Sequence, residues 1–394
     1  SFDLPIAVGM LAASEQFACD QLENFMIVGE LALTGAVRPV KGVLSIALRA
    51  RAEGKAGILV PPENAAEAAV VEGLMVAPVR NLREAIGFLE GAVKIPAVQS
   101  DVKRIFAQPL DDDVDFSEVK GQESVKRALE IAAAGGHNIL MLGPPGSGKT
   151  MLARRLPSIL PDMTLDEAFE ATKIHSVAGV LAAEEPLITR RPFRDPHHTV
   201  SLAGLVGGGR TPRPGEISLA HNGVLFMDEL PEYPRNALEA LRQPLENGTT
   251  TIARVWGSLT FPARAMVVAA MNPCPCGFLG DTARQCRCAP SHVRRYHAKM
   301  SGPLLDRIDL HIEVPSVPYE QLRDGKAGEA SSTVRERVQA ARDFQKARYA
   351  GSPTHCNAMM EARDVRRFCG LDEAAETLLK AAMEQLLLSA RGHD

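Results

Sequence analysis

The sequence has few aromatic residues and little net charge. Aromatic residues make up 5% of its 394 residues, only one of them is tryptophan, and the formal net charge is −4. With 45% hydrophobic and 23% charged residues, the composition excludes a disordered chain, a fibrous chain and a small disulfide-rich scaffold. The small net charge neither supports nor excludes a nucleic-acid partner, because only the local distribution of charge matters for that.

Long apolar runs are also absent. No run reaches the roughly 18 residues that a transmembrane helix needs, and the first five residues, SFDLP, show no signal-peptide pattern. We therefore expect a cytoplasmic protein that makes no membrane contact. At roughly 100–200 residues per domain, the length predicts two to three domains.

Cysteine is scarce and unevenly placed. Of the seven cysteines, four lie close together in the sequence: Cys274, Cys276, Cys286 and Cys288. In a reducing compartment such a quartet indicates a metal site before it indicates disulfides, and four thiolates suit tetrahedral zinc. The two CxC pairs are tighter than the usual CxxC knuckle, so redox-active or simply reduced cysteines remain the alternative.

The first part of the chain alternates predicted strands and helices, which indicates an α/β domain. Buried strands are predicted at residues 27–33 and 57–60, and helices at 42–52 and 63–72. Residues 97–117 are polar and acidic, and we interpret them as a linker.

A second α/β unit follows this linker. A helix is predicted at residues 123–135 and a short strand at 137–142, and further buried strands are predicted at 224–227 and 265–271. Residues 336–390 are mostly helical by pattern. The fold class is therefore α/β with a helical C-terminal part.

Residues 143–150, GPPGSGKT, match the phosphate-binding pattern GxxxxGK[ST] between an apolar strand and a helix. The backbone N–H groups of such a loop and the helix N-terminus bind phosphate oxygens. Lys149 is expected to reach the β- and γ-phosphates, and Thr150 to bind Mg²⁺. The predicted nucleotide-binding residues of this motif are Gly143, Pro144, Pro145, Gly146, Ser147, Gly148, Lys149, Thr150 and Met151.

Two further strands end in polar residues. The apolar run at 224–227 ends in Asp228 and Glu229. In a nucleoside triphosphatase the first acid holds Mg²⁺, and the second orients and deprotonates the attacking water. A plain strand end is the alternative, but a complete phosphate loop upstream favours the catalytic interpretation. Asn272 ends another strand and is predicted to position the same water, with a strand-capping role as the alternative.

Arg307 lies beside a predicted turn and precedes a short strand. An arginine at a subunit edge can stabilise transition-state charge on the γ-phosphate bound by a neighbouring subunit. A local ion pair with Asp306 or Asp309 is the alternative, and the sequence leaves both open.

Arginines are concentrated in a glycine-rich insert at residues 190–213, in a predicted hairpin at 251–261 and beyond the second cysteine pair. Basic loops on a nucleoside triphosphatase are candidates for contact with nucleic acid, and solvated loops are the alternative. The candidate DNA-contacting residues are Arg190, Arg191, Arg194, Arg210, Arg213, Arg254, Trp256, Arg294 and Arg295.

The order of these motifs resembles the AAA+ family that contains magnesium-chelatase subunit I and the YifB/ComM proteins. The stretches that carry the resemblance are residues 143–150, 197–199, 215–221, 225–229, 271–277 and 302–309. The resemblance implies a P-loop AAA+ core with a parallel sheet at residues 118–318, which carries a helix-2 insert and a cysteine-rich insert. It also implies an α-helical lid at residues 332–394.

The resemblance also implies roles for matching positions. Gln122 falls at the adenine pocket, Asn272 at sensor 1, Arg307 at the arginine finger and Arg391 at sensor 2. It implies ATP and Mg²⁺ as ligands, a homo-oligomer, most simply a hexamer, and a ComM-type role. That role is a DNA helicase promoting branch migration while transforming DNA is integrated. The alternatives are a magnesium-chelatase-like motor, an ATP-dependent protease and a binding module without turnover.

Residues 1–96 resemble the proteolytic domain of Lon as it occurs in YifB/ComM proteins, through the stretches 29–35 and 38–42. Lon proteases use a Ser–Lys dyad. Residues 2–5 stand where the serine is expected and Leu44 lies near the expected lysine, so the resemblance implies a degenerate, non-proteolytic domain. It also implies that the chain lacks the opening strands of this domain and stops inside the lid.

Overall fold

The computed structural model describes residues 2–17, 19, 21–106, 114–182, 185–255, 257–281, 284–318, 323, 328–352 and 354–386. The chain forms two compact units, one of residues 1–110 with 163–190 and the other of 111–162 with 191–394. In the described ranges, no helix combines the length and apolar character needed to cross a bilayer.

The first unit contains five strands and six α-helices among its described residues. The strands are β1 (Phe25–Ile27), β2 (Glu30–Leu31), β3 (Val37–Arg38), β4 (Gly57–Val60) and β5 (Met75–Pro78). The helices are α1 (Asp3–Ala13), α2 (Val43–Ala52), α3 (Pro62–Ala69), α4 (Leu82–Leu89), α5 (Val102–Phe106) and α8 (Leu165–Ala178). Strands β1, β4 and β5 form a parallel sheet with β4 in the centre, and apolar side chains such as Ile58 and Leu59 are fully buried there.

The single strand predicted at residues 27–33 is wrong, because the chain leaves the parallel sheet at Gly29. A β-carbon at Gly29 would lie 2.8 Å from Val37 Cγ1 and 3.0 Å from Leu4 Cδ2. Strand β2 then pairs antiparallel with β3. Gly29 thus packs closely against Leu4 and Val37. The predicted apolar run is divided there between the parallel sheet and the β2–β3 pair.

The unit boundaries also differ from the domains predicted from the sequence. Residues 163–190, which the sequence assigned to the ATPase core, belong to the first unit. The Oγ of Thr172, in α8, accepts a hydrogen bond from Ile188 N–H at 2.9 Å, and Glu67 accepts one from Ser176 Oγ. The predicted linker begins too early, since Val102 in α5 is buried in the core of this unit.

The second unit is built on five parallel strands. They are β6 (Ile139–Leu142), β7 (Phe193–Arg194), β8 (Val224–Met227), β11 (Met266–Met271) and β12 (Leu310–Glu313). Their order across the sheet is β12-β6-β11-β8-β7. Since Met271 pairs with Leu142 and Ala269 pairs with Met227, the carboxyl ends of β6, β8 and β11 meet at one edge.

Helices cover this sheet, and their residues form two apolar cores with the strands. They are α6 (Glu123–Gly135), α7 (Lys149–Arg155), α9 (Leu202–Val206), α10 (Glu216–Leu219), α11 (Arg235–Ala240), α12 (Arg242–Asn247), α13 (Pro290–His297) and α14 (Gly302–Leu305). The C-terminal helices are α15 (Ser331–Arg348), α16 (Ala362–Phe368) and α17 (Glu373–Leu386). This mixed α/β architecture with a parallel sheet confirms the predicted fold class.

The predicted hairpin is confirmed as β9 (Thr249–Arg254) paired antiparallel with β10 (Gly257–Pro262). Trp256, between the two strands, lies outside the described residues. The same holds for Arg391, beyond the last described helix. The roles of these two residues therefore stay predictions from the sequence.

Candidate active site

The phosphate-binding motif forms a tight loop between β6 and α7. Gly146 and Gly148 adopt φ angles of 79° and 91°, which L side chains rarely adopt. A β-carbon at Gly143 would lie 2.2 Å from the carbonyl oxygen of Val314. The glycines are thus required by backbone conformation and by close packing, and helix α7 begins directly at Lys149.

Lys149 is buried at the carboxyl edge of the sheet. Its Nζ donates hydrogen bonds to the carbonyls of Gly143 (2.7 Å) and Pro144 (2.9 Å) and to Oδ1 of Asn272 (3.2 Å). Burial lowers the pKa of Lys149, although the nearby Asp228 carboxylate opposes this shift. The contact to Asn272 joins the phosphate loop to the end of strand β11.

Thr150 and Asp228 meet across the same edge. Thr150 Oγ1 donates a hydrogen bond of 2.6 Å to Asp228 Oδ2, at the end of β8. A hydroxyl and a carboxylate oxygen at this spacing are hard oxygen ligands of the kind Mg²⁺ prefers. This pair is therefore chemically suited to Mg²⁺.

Glu229 has an unusual backbone conformation, with φ of 51°, and its N–H donates to Asp228 Oδ1 at 2.9 Å. The turn sends the two neighbouring carboxylates in different directions. Glu229 Oε2 lies 3.1 Å from Nδ1 of His198, whose ring lies against that of His197 at a centroid distance of 4.1 Å and a tilt of 33°. Sequence reasoning missed His198 as a partner of Glu229, and the available signal was the His-His pair shortly after strand β7.

Tyr233 is a buried residue close to the acidic end of β8. Its hydroxyl donates to the carbonyl of Pro196 at 2.5 Å, and the side chain is buried. Burial raises the pKa of Tyr233, and the carboxylates of Asp195, Asp228 and Glu229 raise it further. The site thus holds concentrated negative charge beside one buried lysine, an arrangement that suits a bound divalent cation.

Gln122 has a φ of 57° and sits next to the phosphate loop. Its Nε2 donates to the carbonyls of Ser147 (2.7 Å) and Pro315 (3.0 Å). Gln122 Oε1 and Ser147 Oγ are buried and have no hydrogen-bond partner in the described part of the chain. Such groups are costly unless a ligand or water satisfies them, so the loop and its surroundings fit a polar ligand such as a nucleotide.

Arg307 lies at the opposite edge of the sheet. Its backbone carbonyl accepts from Asn138 Nδ2 at 3.0 Å, and Asn138 directly precedes β6. The length of β6, about 13 Å at 3.3 Å per residue, therefore separates this edge from the phosphate loop. Its guanidinium donates to Glu246 Oε2 (2.7 Å) and to the Pro303 carbonyl (2.6 Å). The structure pairs Arg307 with Glu246 rather than with Asp306 or Asp309.

The four clustered cysteines converge. Their Sγ atoms all lie within 4.8 Å of one another, and Cys274, Cys276 and Cys286 are separated by 3.4 to 3.6 Å. Zn–S bonds of about 2.3 Å in a tetrahedron place sulfur atoms about 3.8 Å apart. Backbone N–H groups of Arg287 and Phe278 lower the pKa of the Cys276 thiol to about 6. The spacing and the soft ligands fit zinc.

The candidate DNA-contacting arginines fall into two groups. Arg191 donates to the carbonyls of Pro161 and Asn222, and Arg194 forms a two-pronged pair with Glu216. These two guanidinium groups therefore bind other residues of the second unit. The exposed members of the set are Arg190 in the first unit and Arg210, Arg213, Arg254, Arg294 and Arg295 in the second.

Two exposed basic segments lie side by side in the second unit. Arg254, in β9, donates from Nε (3.2 Å) and Nη2 (3.1 Å) to the carbonyl of Gly209. Gly208 and Arg213 exchange backbone hydrogen bonds, which close the loop that also contains Arg210. The loop at residues 207–213 and the hairpin β9–β10 thus form one basic surface, called the loop–hairpin surface below.

The five-stranded parallel sheet, the glycine loop with its lysine, the acidic strand end and the helical C-terminal part define a P-loop protein of the AAA+ class. The family described as "Magnesium chelatase, subunit ChlI" matches residues 115–322, and its ChlI C-terminal family matches 328–394. The family "Subunit ChlI of Mg-chelatase" matches residues 1–64.

The chain is 44% identical over 395 residues to the uncharacterized protein YifB of Escherichia coli, covering 99% of this chain and 75% of that protein. It is 45% identical over 396 residues to the competence protein ComM of Haemophilus influenzae, covering 100% and 76%. Identity to the magnesium-chelatase 38 kDa subunit of Cereibacter sphaeroides is 27% over 177 residues, covering 40% and 52%.

The chain therefore belongs to the YifB/ComM family of magnesium-chelatase-like AAA+ proteins. This confirms the resemblance based on sequence motifs. Membership in a ChlI-like ATPase family implies ATP and Mg²⁺ as ligands, and the paired Thr150 and Asp228 oxygens fit that implication.

Proposed function

We propose that this protein is an ATP-driven motor that moves DNA, with branch migration during the integration of transforming DNA as its process. The observation that carries the DNA part is the loop–hairpin surface, on which Arg210, Arg213 and Arg254 are exposed together. Clustered arginines bind phosphate backbones without sequence preference. The name of the relative ComM, a competence protein, agrees with this process.

ATP supplies the free energy, and residues of this chain divide the work. Lys149 would exchange its contacts with the Gly143 and Pro144 carbonyls for phosphate oxygens, and Thr150 with Asp228 would hold Mg²⁺. Glu229 would orient and deprotonate the attacking water, and Asn272 would help to place it. His198 holds the carboxylate of Glu229 and is a positioning residue.

Arg307 would act on the nucleotide of a second copy of this chain. It lies at the edge of the sheet opposite Lys149, so a site completed by Arg307 needs two subunits. This requirement supports a homo-oligomer, for which we propose a hexameric ring in the cytoplasm. Gln122 and, from the sequence alone, Arg391 would contact the nucleotide, and the four cysteines would hold zinc.

The decisive experiment measures ATPase activity with fork, Holliday-junction and single-stranded DNA. We expect stimulation by branched DNA and loss of turnover in Glu229→Gln. The double variant Arg210→Ala/Arg213→Ala should lose the DNA stimulation while keeping basal turnover. Arg83→Ala, an exposed arginine in the first unit, is the matched control and should behave like the unmodified protein. Turnover and affinity that ignore DNA would contradict the proposal.

A second candidate function is favoured by the ChlI family matches themselves. In that case the protein would be the ATPase motor of a complex that inserts Mg²⁺ into a porphyrin. ATPase activation by a porphyrin-binding partner protein, without any response to DNA, would establish this alternative. ATP-dependent casein degradation would instead revive the protease hypothesis.

A further inference from the structure

The four-cysteine loop continues directly from a catalytic strand. Strand β11 ends at Met271, the next residue is Asn272, and Cys274 follows two positions later. Asn272 contacts Lys149 at 3.2 Å, and Cys274 is fully buried. A catalytic amide and the first thiol of the cluster are therefore separated by only one residue.

The base of this loop is fastened by helix α13, which begins shortly after Cys288. Tyr296 accepts a hydrogen bond from the backbone N–H of Asn272, and His297 Nε2 donates to the carbonyl of Pro273 at 3.0 Å. The second cysteine pair thus precedes the helix that holds the first residues of the loop. When the four cysteines bind one metal ion, both ends of the loop are held close to Asn272.

The segment of the loop around its first cysteine pair contacts the phosphate-binding motif. Gly277, with φ of 85°, packs against Pro145, so that a β-carbon at Gly277 would lie 2.4 Å from Pro145 Cδ. Gly277 N–H also donates to the carbonyl of Cys274 at 2.9 Å. The cysteine knuckle at residues 274–277 therefore contacts the loop that carries Lys149.

We propose that zinc held by Cys274, Cys276, Cys286 and Cys288 supports the phosphate loop, so that zinc loading controls nucleotide affinity. This inference rests on the proposed function in two respects, that the loop binds ATP and that the four cysteines hold zinc. Metal–thiolate bonds stabilise short loops that have little apolar core of their own. Loss of the metal frees the knuckle from Pro145 and Asn272 from Lys149, and the loop loses its support on one side.

The first test removes the metal from the full chain with a chelator and measures binding of a fluorescent ADP analogue. We expect about one zinc per chain before treatment. Its removal should raise the Kd by about tenfold or more, because small displacements in such sites have large effects. Added zinc should restore the affinity. Cys276→Ser should behave like the stripped protein, whereas Cys369→Ser, an exposed cysteine outside the cluster, should not.

The second test separates loop contact from metal binding. Gly277→Ala and Gly280→Ala both place alanine at a positive φ, 85° and 80°, but a β-carbon at Gly280 meets nothing within 4 Å. We expect both variants to bind zinc and only Gly277→Ala to weaken nucleotide binding, by about fivefold or more. Thermal unfolding of Gly280→Ala measures the cost of the backbone strain alone, because its β-carbon meets no neighbouring atom.

The outcomes are distinguishable from failure of the proposed function. If the unmodified, zinc-loaded protein binds no ATP or ADP, the proposed function fails. If it binds nucleotide equally well with and without zinc, or if Gly277→Ala and Gly280→Ala weaken binding equally, only the inference of a zinc-supported phosphate loop is overturned.

Discussion

The two edges of the five-stranded sheet differ in how many parts of a nucleotide site each of them carries. At the carboxyl edge, Lys149, Asp228 and Asn272 contact one another or their immediate neighbours. At the opposite edge, Arg307 pairs with Glu246, and its buried Nε has no partner in the described ranges. The first edge has the parts of a nucleotide site, whereas the second has the mostly buried guanidinium of Arg307.

Under the proposed function, the two edges of one chain would be the two halves of a site that forms between subunits. A buried guanidinium nitrogen without a partner is costly, and a rearrangement of Arg307 that turns its guanidinium toward a phosphate bound by another subunit would satisfy it. Before that rearrangement, the Glu246 contact would hold the guanidinium of Arg307 in place. Changes at the two edges should therefore have separable consequences.

The largest effect is expected at the carboxyl edge. Lys149→Ala removes the cation that would contact the β- and γ-phosphates, so ATP turnover should fall by about a hundredfold or more, together with ATP affinity. Lys346→Ala, an exposed lysine on α15, is the control and should leave both values unchanged. Turnover that survives Lys149→Ala would remove the basis for assigning the site to this edge.

The next largest effect is expected at the opposite edge. Arg307→Ala should reduce turnover by about a hundredfold while leaving ATP affinity nearly unchanged, because the arginine acts on transition-state charge. Subunit mixing is the sharper measurement. When inactive Lys149→Ala and Arg307→Ala chains are mixed equally, about a quarter of the interfaces combine an intact Lys149 with an intact Arg307.

Recovery of turnover in the mixture would establish that the two edges act between subunits. A mixture that remains as inactive as each variant alone would contradict the comparison. Sedimentation of both variants with ATP is the control, since each must still assemble.

The carboxyl edge could be predicted from the sequence far better than its surroundings. Residues 143–150 and 224–229 are continuous motifs, and the register of β6, β8 and β11 brings them together, so local pattern and sheet topology were sufficient. His198 and Gly277 act through contacts between segments distant in sequence, and no periodicity encodes those contacts. The position of residues 163–190 in the first unit was missed for the same reason.

A moderate effect is expected from the residue that holds Glu229. His198→Ala removes the partner that lies 3.1 Å from the Glu229 carboxylate, so kcat should fall by about tenfold with little change in ATP affinity. His198→Asn, which keeps a hydrogen-bond donor, should recover part of the loss. Equal losses in both variants, or a fall in affinity alone, would argue against a positioning role.

The smallest effect is expected away from both edges, where α15 joins the core of its unit. Arg337 donates to both carboxylate oxygens of Glu130, at 2.8 and 3.2 Å. This contact with Arg337 lowers the pKa of Glu130 from its ordinary 4.5. Because the folded pKa is depressed, the stabilisation is fully present above 4.5 and is lost as the pH falls through the folded value.

Arg337→Ala should therefore lower the free energy of unfolding by about 1 kcal/mol at neutral pH, since the pair is partly exposed. Arg337 also pairs with Glu329, whose pKa it lowers too. The difference from the unmodified protein should therefore shrink in acid, where both carboxylates are protonated in both proteins. Urea unfolding at neutral and acidic pH measures it, with Lys346→Ala on the same helix as the matched control. A difference that stays constant with pH would mean that packing of the arginine stem, rather than its charge, fastens α15. Nucleotide affinity should not change in Arg337→Ala. Effects on nucleotide binding and turnover would then be limited to variants at the two edges of the sheet.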